Sequence, residues 1–283
     1  LGPLHNPSNL MGIEVCQDLF PGTPNVAVFD TQFGMSMPPE SYMYGLPYEY
    51  YEDLHIRRYG FHGTSHTYVS KKTAEFLHKP LSETNCIVMH LGNGSSLSCT
   101  KNGKCLDTSM GLTPLEGMIM GTRCGTLDPA IVPFIMKKKG FTPEEMDTLM
   151  NKKSGLQALC GSADMRDVHK ERENGNKRAE LAFRMLVHGI KKILGSYFFL
   201  LGGKVDAVTF TAGIGEHDEL VRAAVMEGLE GIGFKLDPEA NRARKSGARV
   251  ISAPDSRIPI LVIPTNEELQ IAETAVEVVS KNK

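Results

Sequence analysis

The chain has 283 residues, enough for about two domains, and its 41% hydrophobic and 23% charged residues are typical of a globular protein. Its 31 basic and 33 acidic residues give a net charge of −2, which lacks the positive excess of a nucleic-acid-binding protein. No apolar run approaches the ~20 residues of a membrane span, and the six cysteines have the spacing of free thiols, not of a zinc site or disulfide scaffold.

The first predicted element is a strand at residues 25–30. This run is short and apolar and ends in a carboxylate, so it predicts a buried strand with Asp30 at its C-terminal end. Residues 37–51, which follow, are rich in proline and tyrosine. That composition excludes long regular structure and predicts a loop or an inter-domain connection.

A second strand is predicted at residues 87–91, followed by the run Gly92-Asn-Gly-Ser-Ser96. Further on, Asn102-Gly103 lies between two β-prone runs and predicts a hairpin, because both turn positions favour a positive φ. The glycine-serine loop should therefore lie beside a hairpin, with no helix directly after it. Its glycines would let backbone N–H groups approach an anion, and its two serine hydroxyls would add donors.

Two helices are predicted in the middle of the chain. Thr142 begins the first, with Pro143 at the first helical position and Glu145 completing a capping box. The second covers residues 177–201, where apolar residues recur at three- and four-residue spacing. The pair Gly202-Gly203 should end that helix.

The C-terminal third repeats the order strand, glycine loop, helix. A strand at residues 205–210 precedes the second glycine loop, Thr211-Ala-Gly-Ile-Gly-Glu216, and a helix from about residue 219. A last strand at residues 260–263 leads into a final helix, which Thr265 should cap with Glu268 closing the box. Strands and helices alternate, so the fold class is α/β, and the polar residues collect at the C-terminal ends of strands, where such folds bind ligands.

The two glycine loops have two interpretations, structural turns or a binding site for phosphate or nucleotide. Each loop follows an apolar strand, and the presence of two of them favours the second interpretation. Neither loop has the Walker pattern, and neither has the third glycine of the dinucleotide fingerprint.

His62 and His66 also allow more than one interpretation. On a helix, residues four apart share a face and could hold zinc. Gly63 argues against a helix at that point, and no third ligand is nearby in the sequence. A loop histidine that donates to an anion, or a buried structural histidine in the case of His66, is the competing interpretation.

Arg123 stands in a run dense in glycine, between Gly121 and Gly125, which favours an arginine directed at a phosphate or carboxylate over a solvated surface charge. Asp30 and Glu267 are the candidate acidic residues. Their carboxylates could supply hard oxygen ligands for Mg²⁺, whereas Glu267 alone could simply complement a helix dipole.

These runs together resemble the acetate kinase family, in matching order and over essentially the whole chain. The runs are Leu4-His-Asn-Pro-Ser-Asn9, Val28-Phe-Asp-Thr31, Arg57-Arg-Tyr-Gly-Phe-His-Gly-Thr-Ser-His66, His90-Leu-Gly-Asn-Gly94, the block of residues 107–129, Asp164-Met-Arg166, Thr211-Ala-Gly-Ile-Gly-Glu216 and Pro264-Thr-Asn-Glu-Glu268. The resemblance implies a ribonuclease-H-like, actin-type α/β fold with a nucleotide in the cleft between two domains. It also implies reversible phosphoryl transfer from ATP to acetate with Mg²⁺, in a cytoplasmic homodimer that binds neither nucleic acid nor membrane.

The resemblance also implies roles for individual residues. Asp30 matches the catalytic carboxylate, His62 and Arg123 match the transition-state stabilisers, and Glu267 matches the Mg²⁺-linked acid. The matched nucleotide contacts are His90, Leu91, Gly92, Asn93, Gly94, Asp164, Met165, Arg166, Gly213, Ile214, Gly215, Glu216 and His217. His5 matches an active-site histidine of lesser role.

The sequence departs from the family in two ways. Thr126 stands where an acidic residue is more usual, and the family's N-terminal segment, with its phosphate hairpin and a substrate arginine, is expected to be missing. We therefore expect residues 34–266 to form one complete nucleotide-binding domain, with residues 1–33 and 267–283 as a remnant of the other. The alternatives are a propionate or butyrate kinase of the same family and a catalytically incompetent nucleotide-binding fragment.

Overall fold

A computed structural model describes residues 6–281 and shows one mixed six-stranded sheet in this part of the chain. The strands are β1 (Cys86–Leu91), β2 (Ser95–Lys101), β3 (Lys104–Thr108), β4 (Ala207–Thr211), β5 (Arg249–Val250) and β6 (Ile260–Val262). Their order is β3-β2-β1-β4-β6-β5. β1, β4 and β6 are parallel, while β2, β3 and β5 are each antiparallel to their neighbours. This is the ribonuclease-H-like arrangement that the resemblance to acetate kinases implied.

Helices surround the sheet. They are α1 (Asn6–Leu19), α2 (Pro39–Tyr42), α3 (Glu49–Leu54), α4 (Gly63–Phe76), α5 (Ile131–Lys139), α6 (Pro143–Lys152), α7 (Gly155–Cys160), α8 (Met165–Glu173), α9 (Lys177–Leu200), α10 (Ala212–His217), α11 (Glu219–Met226), α12 (Pro238–Arg242) and α13 (Glu267–Lys281). None of them, among residues 6–281, is both long and apolar enough to cross a bilayer.

The sheet is buried on both faces because helices cover it from both sides. Side chains alternate along β1, so Ile87 and Met89 join the larger core beneath α9, while Cys86 and Val88 pack with Val69 of α4. A strand covered on both faces needs an unbroken apolar sequence, which explains the predictability of β1. Behind it, α13 packs against α4.

Several local predictions are confirmed. The β2–β3 hairpin turns at Asn102 and Gly103, which both have a positive φ. The Thr142 side chain accepts from the Glu145 N–H, completing the capping box of α6. α9 covers 24 residues and stops before two glycines with positive φ, and all six cysteines are free thiols.

The predicted strand at residues 25–30 is wrong. This segment forms no regular structure, none of its residues is buried, and Phe29 is 66% exposed. An apolar run becomes a strand only where a neighbour supplies hydrogen bonds and a face to pack on, and no strand of the described residues lies beside it. The site contacts of Asp30 therefore come from an irregular segment.

The predicted cap of the last helix is also wrong. The Asn266 side chain, not that of Thr265, accepts from the Leu269 N–H at 3.0 Å. The Thr265 hydroxyl instead hydrogen-bonds Ser65 Oγ at 2.8 Å, on a different helix. A tertiary partner for the hydroxyl thus replaces the local capping interaction.

Candidate active site

The site lies at one edge of the sheet, where the parallel strands end. His90 of β1 is level with Thr211 of β4, and Phe210 of β4 is level with Val262 of β6. The loops that leave these strands consequently meet at the same edge, as ligand-binding loops do in open α/β sheets.

The loop after β1 is held by an internal hydrogen bond, and it leaves a space beside Gly94. The Gly92 N–H donates to the Gly94 carbonyl at 3.1 Å, and the Asn93 carbonyl accepts from the Gly121 N–H at 3.2 Å. A Cβ placed on Gly94 would lie 3.3 Å from both Arg123 Nη1 and His62 Nε2. The glycine therefore keeps free the space towards which these two side chains converge.

The two serine hydroxyls of this loop do not face that space, so the prediction that they add donors for an anion is wrong. Ser95 Oγ donates to the Gly92 carbonyl at 3.0 Å. Ser96 Oγ is fully buried and hydrogen-bonds both His62 Nδ1 and His66 Nε2. Both hydroxyls are held inside the protein because Ser95 and Ser96 already belong to β2.

Asp30 holds the start of α4. Its carboxylate accepts from the His62 N–H at 2.7 Å and from the Thr64 N–H at 3.3 Å, and its main-chain carbonyl accepts from Gly63 at 2.9 Å. α4 begins at Gly63, contrary to the expectation that this glycine opposes a helix. A Cβ on Gly63 would lie 2.1 Å from the Asp30 carbonyl, so the close approach of the two chains requires glycine there.

Arg123 is a half-buried cation. Its Nη1 donates to the Pro114 carbonyl at 3.1 Å, and no carboxylate within residues 6–281 forms an ion pair with it. Burial lowers the pKa of the guanidinium, which still remains protonated at neutral pH. An arginine that is half-buried without a counter-ion is suited to binding an anion.

Glu267, at the first position of α13, is the second carboxylate of the site. Burial, and then the negative charge of Asp30, raises the pKa of the Glu267 carboxyl. Two carboxylates whose charges act on each other form an environment that favours a cation, and Mg²⁺ usually takes one or two carboxylates with phosphates and waters. No group of three or more His, Cys, Asp or Glu side chains that could hold a metal ion occurs among residues 6–281, so a magnesium ion bound by these two carboxylates would need its other ligands from nucleotide phosphates and water.

Three histidines lie behind the Gly94 space. His66 and His90 are buried, His62 is partly buried, and the rings of His62 and His90 are stacked at 4.1 Å. Burial, with a smaller contribution from Arg123, lowers the pKa of His62 to about 4, and burial lowers that of His90 to about 3. Burial also holds the pKa of His66 well below its usual value. All three are neutral at pH 7. Because His62 Nδ1 and both ring nitrogens of His66 bond serine hydroxyls, the zinc interpretation does not hold.

The second glycine loop is not a loop but the short helix α10, directly after β4. Ala212 enters it with φ +65°, and its N–H donates to Glu216 Oε1 at 2.9 Å. Glu216 Oε1 also accepts from the Thr265 N–H. A Cβ on Gly213 would meet nothing within 4 Å, whereas a Cβ on Gly215 would lie 3.5 Å from the Met89 main-chain oxygen of β1.

The third predicted nucleotide segment follows Ala163, and a Cβ on Gly121 would lie 3.2 Å from the Ala163 Cβ and 3.5 Å from the Asn93 carbonyl oxygen of the loop after β1. Asp164 caps α8 and forms a 2.6 Å ion pair with Arg166, whose side chain is 90% exposed. Met165 is instead part of the hydrophobic core, as is Leu91 at the end of β1. The side chains of these two residues are therefore turned away from solvent, and only their backbone could contact a ligand. His5 lies outside the described residues.

Sequence reasoning gave Ser96 the role of an anion donor and missed Ser65 and Ser98, so it did not find the hydrogen bonds between serines and histidines. Ser96 joins His62 to His66, and Ser65 Oγ bonds His90 Nδ1 at 2.8 Å. A signal was present, because Ser96 and Ser98 alternate with apolar Leu97 along β2 and so share one face of the sheet. A polar face on a fully buried strand indicates an internal hydrogen-bond network.

The strand order is that of a ribonuclease-H-like, actin-type fold, and a cation with two carboxylates at its carboxyl edge is suited to phosphoryl transfer from a nucleotide. The model of the Acetokinase family matches residues 1–273. The acetate kinase of Desulfovibrio desulfuricans is 71% identical over 281 residues, which cover 99% of this chain and 70% of that protein. The chain belongs to the acetokinase family.

Solved structures agree with this assignment. The acetate kinase of Porphyromonas gingivalis matches with a TM-score of 0.94 at 42% identity, over 98% of this chain and 70% of that one. A propionate kinase from Francisella tularensis matches with a TM-score of 0.90 at 43% identity, over 96% and 69%. The predicted family and fold are thus confirmed.

Proposed function

We propose that this chain acts as an acetate kinase, transferring the γ-phosphoryl group of ATP reversibly to acetate to give acetyl phosphate and ADP. The observation that carries the proposal is the convergence of Arg123 Nη1 and His62 Nε2 on the space beside Gly94, with Asp30 bonded to the main chain of His62. The acetate kinases among its relatives support acetate as the acceptor.

Arg123 and His62 would donate hydrogen bonds to the phosphoryl group during its transfer. Its transition state spreads negative charge over equatorial oxygens, so catalysis is mainly positioning and electrostatic stabilisation. The Arg123 guanidinium is fixed by its bond to the Pro114 carbonyl and needs no reorganisation to receive that charge. Neutral His62 would contribute an N–H donor from the other side of the same space.

The two carboxylates would serve the metal and the acceptor. Glu267 would hold Mg²⁺, which when bound neutralises charge on the nucleotide phosphates. Asp30, whose carboxylate is fixed at the start of α4, would either orient acetate or share the magnesium ion.

We further propose that the nucleotide binds along the edge formed by the loop after β1, α10 and the start of α8. The contacts would come from His90–Gly94, Gly213–His217 and Asp164–Arg166. Open space at Gly213 and the approach of Gly121 to Asn93 support this placement. Residues 34–266 would then be the nucleotide-binding domain, with residues 1–33 and 267–283 in the other, in a cytoplasmic homodimer.

Propionate kinase is the second candidate, because a protein of that name matches this chain with a TM-score of 0.90. A catalytically incompetent nucleotide-binding fragment is the third. Acyl phosphate formation from acetate, propionate and butyrate, measured with ATP and Mg²⁺ at equal protein concentration, separates the three. We expect acetate to give the highest kcat/KM. A preference for propionate would assign the second function, and nucleotide binding without turnover of any acid would assign the third.

A further inference from the structure

A chain of four side chains leads from the core to the site. Ser98 Oγ lies 2.9 Å from His66 Nδ1, and His66 Nε2 lies 2.7 Å from Ser96 Oγ. Ser96 Oγ in turn lies 2.8 Å from His62 Nδ1. Ser96, Ser98 and His66 have no exposed surface, so water cannot substitute for any of these bonds.

Each hydroxyl and each neutral imidazole has one proton to donate, so the four side chains can pass their protons along in two directions. In one direction, Ser98 donates to His66, His66 to Ser96 and Ser96 to His62 Nδ1. That direction leaves the proton of His62 on Nε2. In the reverse direction His62 donates from Nδ1, and the last proton falls on Ser98. In a third arrangement Ser96 accepts from both histidines, and its own buried proton then has no acceptor among residues 6–281.

The buried surroundings of Ser98 select the first direction. His66 Nδ1 is the hydrogen-bonding partner of the Ser98 hydroxyl in residues 6–281, and no second side-chain or carbonyl acceptor lies within bonding distance. In the reverse direction the Ser98 proton would point at no acceptor in a site without water. Leaving a buried donor unsatisfied is unfavourable, so the direction that uses this proton prevails.

We propose that Ser98, His66 and Ser96 are positioning residues that hold His62 as the Nε2–H tautomer, aimed at the space beside Gly94. The inference concerns the tautomer itself, and it rests on the proposed function only for the use made of that proton. Nε2 is the ring nitrogen that a Cβ on Gly94 would approach to 3.3 Å.

The tautomer matters because Nε2 is the ring nitrogen of His62 that faces the space beside Gly94. A neutral imidazole with a proton on Nε2 donates to a phosphoryl oxygen, whereas the other tautomer presents a lone pair that repels it. A fixed tautomer therefore makes His62 a donor without adding a second positive charge beside Arg123.

The deciding experiment is a nitrogen-15 NMR spectrum of the whole chain labelled in histidine, recorded at pH 7, with His62 assigned by its loss in His62→Asn. We expect a protonated Nε2 and an unprotonated Nδ1 for His62. A spectrum with the proton on Nδ1 of His62, or with equal populations of the two tautomers, overturns the proposal. The unsubstituted protein alone decides this, whether or not a buried variant folds.

Variants of Ser98 test its part in the chain. Ser98→Ala removes the hydroxyl that sets the direction of the hydrogen bonds, so His62 should become a mixture of tautomers. Ser98→Thr keeps the hydroxyl, so His62 should again be a single Nε2–H tautomer. Turnover should be proportional to the fraction of molecules in which His62 is the Nε2–H tautomer. We expect kcat to fall about two- to fivefold in Ser98→Ala, with the KM for ATP unchanged. The matched control is Ser70→Ala, which removes another buried hydroxyl, bonded to Thr100, without touching a histidine. A single Nε2–H tautomer in folded Ser98→Ala would overturn the role of Ser98.

Failure of this inference and failure of the proposed function give different results. If the unsubstituted protein forms no acyl phosphate while the spectrum shows Nε2–H, the proposed function is wrong and the tautomer chain stands. If it forms acetyl phosphate while His62 carries its proton on Nδ1, the function stands and the tautomer chain is wrong.

Discussion

Gly94→Ala should separate activity from stability. Gly94 does not have the positive φ that disfavours a side chain, so alanine can adopt its backbone conformation. A Gly→Ala change at such a position typically stabilises a protein by about 0.4–1 kcal/mol through the unfolded state. The tight contacts of the new methyl group oppose this gain, and we expect the free energy of unfolding to change by less than about 1 kcal/mol.

The effect on turnover should be much larger. The new Cβ would lie 3.3 Å from both Arg123 Nη1 and His62 Nε2, closer than the ~3.5–4.0 Å optimum for dispersion contacts, so both groups must move. The methyl group would also occupy the space in which we place the phosphoryl group. Misplacement of catalytic groups by ~1 Å can reduce a rate 10²-fold, and we expect a loss of about that size.

The assay compares acetyl phosphate formation with the urea unfolding midpoint for each protein. Gly195→Ala is the matched control, because a Cβ there meets nothing within 4 Å in the interior of α9. It should keep its turnover and gain slightly in stability. If folded Gly94→Ala turns over within about tenfold of the unsubstituted protein, the phosphoryl group does not pass through the space beside Gly94.

Three further outcomes are expected. Arg123→Ala should lower kcat by about 10²–10³-fold. The control is Arg178→Gln, which removes an exposed arginine that also bonds a main-chain carbonyl and should leave kcat unchanged. A loss under tenfold for Arg123→Ala would contradict its role. Gly213→Val should fold normally, because a Cβ at this position meets nothing within 4 Å, yet weaken ADP binding in calorimetry. Unchanged affinity would remove α10 from the nucleotide site. The urea concentration at the unfolding midpoint should decrease as the pH falls from about 6.5 towards 4. The reason is that histidines of the unfolded chain become protonated at a higher pH than His62 of the folded protein, whose pKa is about 4. A midpoint that does not change with pH would show that the histidines are not buried as described.

The order of polar and apolar residues was sufficient to predict local structure wherever that structure depends on contacts between residues close in the sequence. The Asn102-Gly103 turn, the Thr142 capping box and the stop of α9 before Gly202 each involve contacts within a few residues. The motifs that resemble acetate kinases also identified the family, because each of them is a run of adjacent residues. Asp30, His62 and Arg123 were selected in this way, and the structure brings them together.

Tertiary structure decided what depends on distant partners. Residues 25–30 have the composition of a strand, but no strand of the described chain pairs with them. Thr265 has the sequence of a cap, but its hydroxyl bonds Ser65, 200 residues away. His62 and Ser96 are separated by 34 residues, and their bond exists only because α4, which follows His62, packs against the central strand β1 beside β2. The sequence determined which groups the site contains, while packing determined their hydrogen-bond partners, because a buried polar group must pair with whichever donor or acceptor the fold brings within 3 Å.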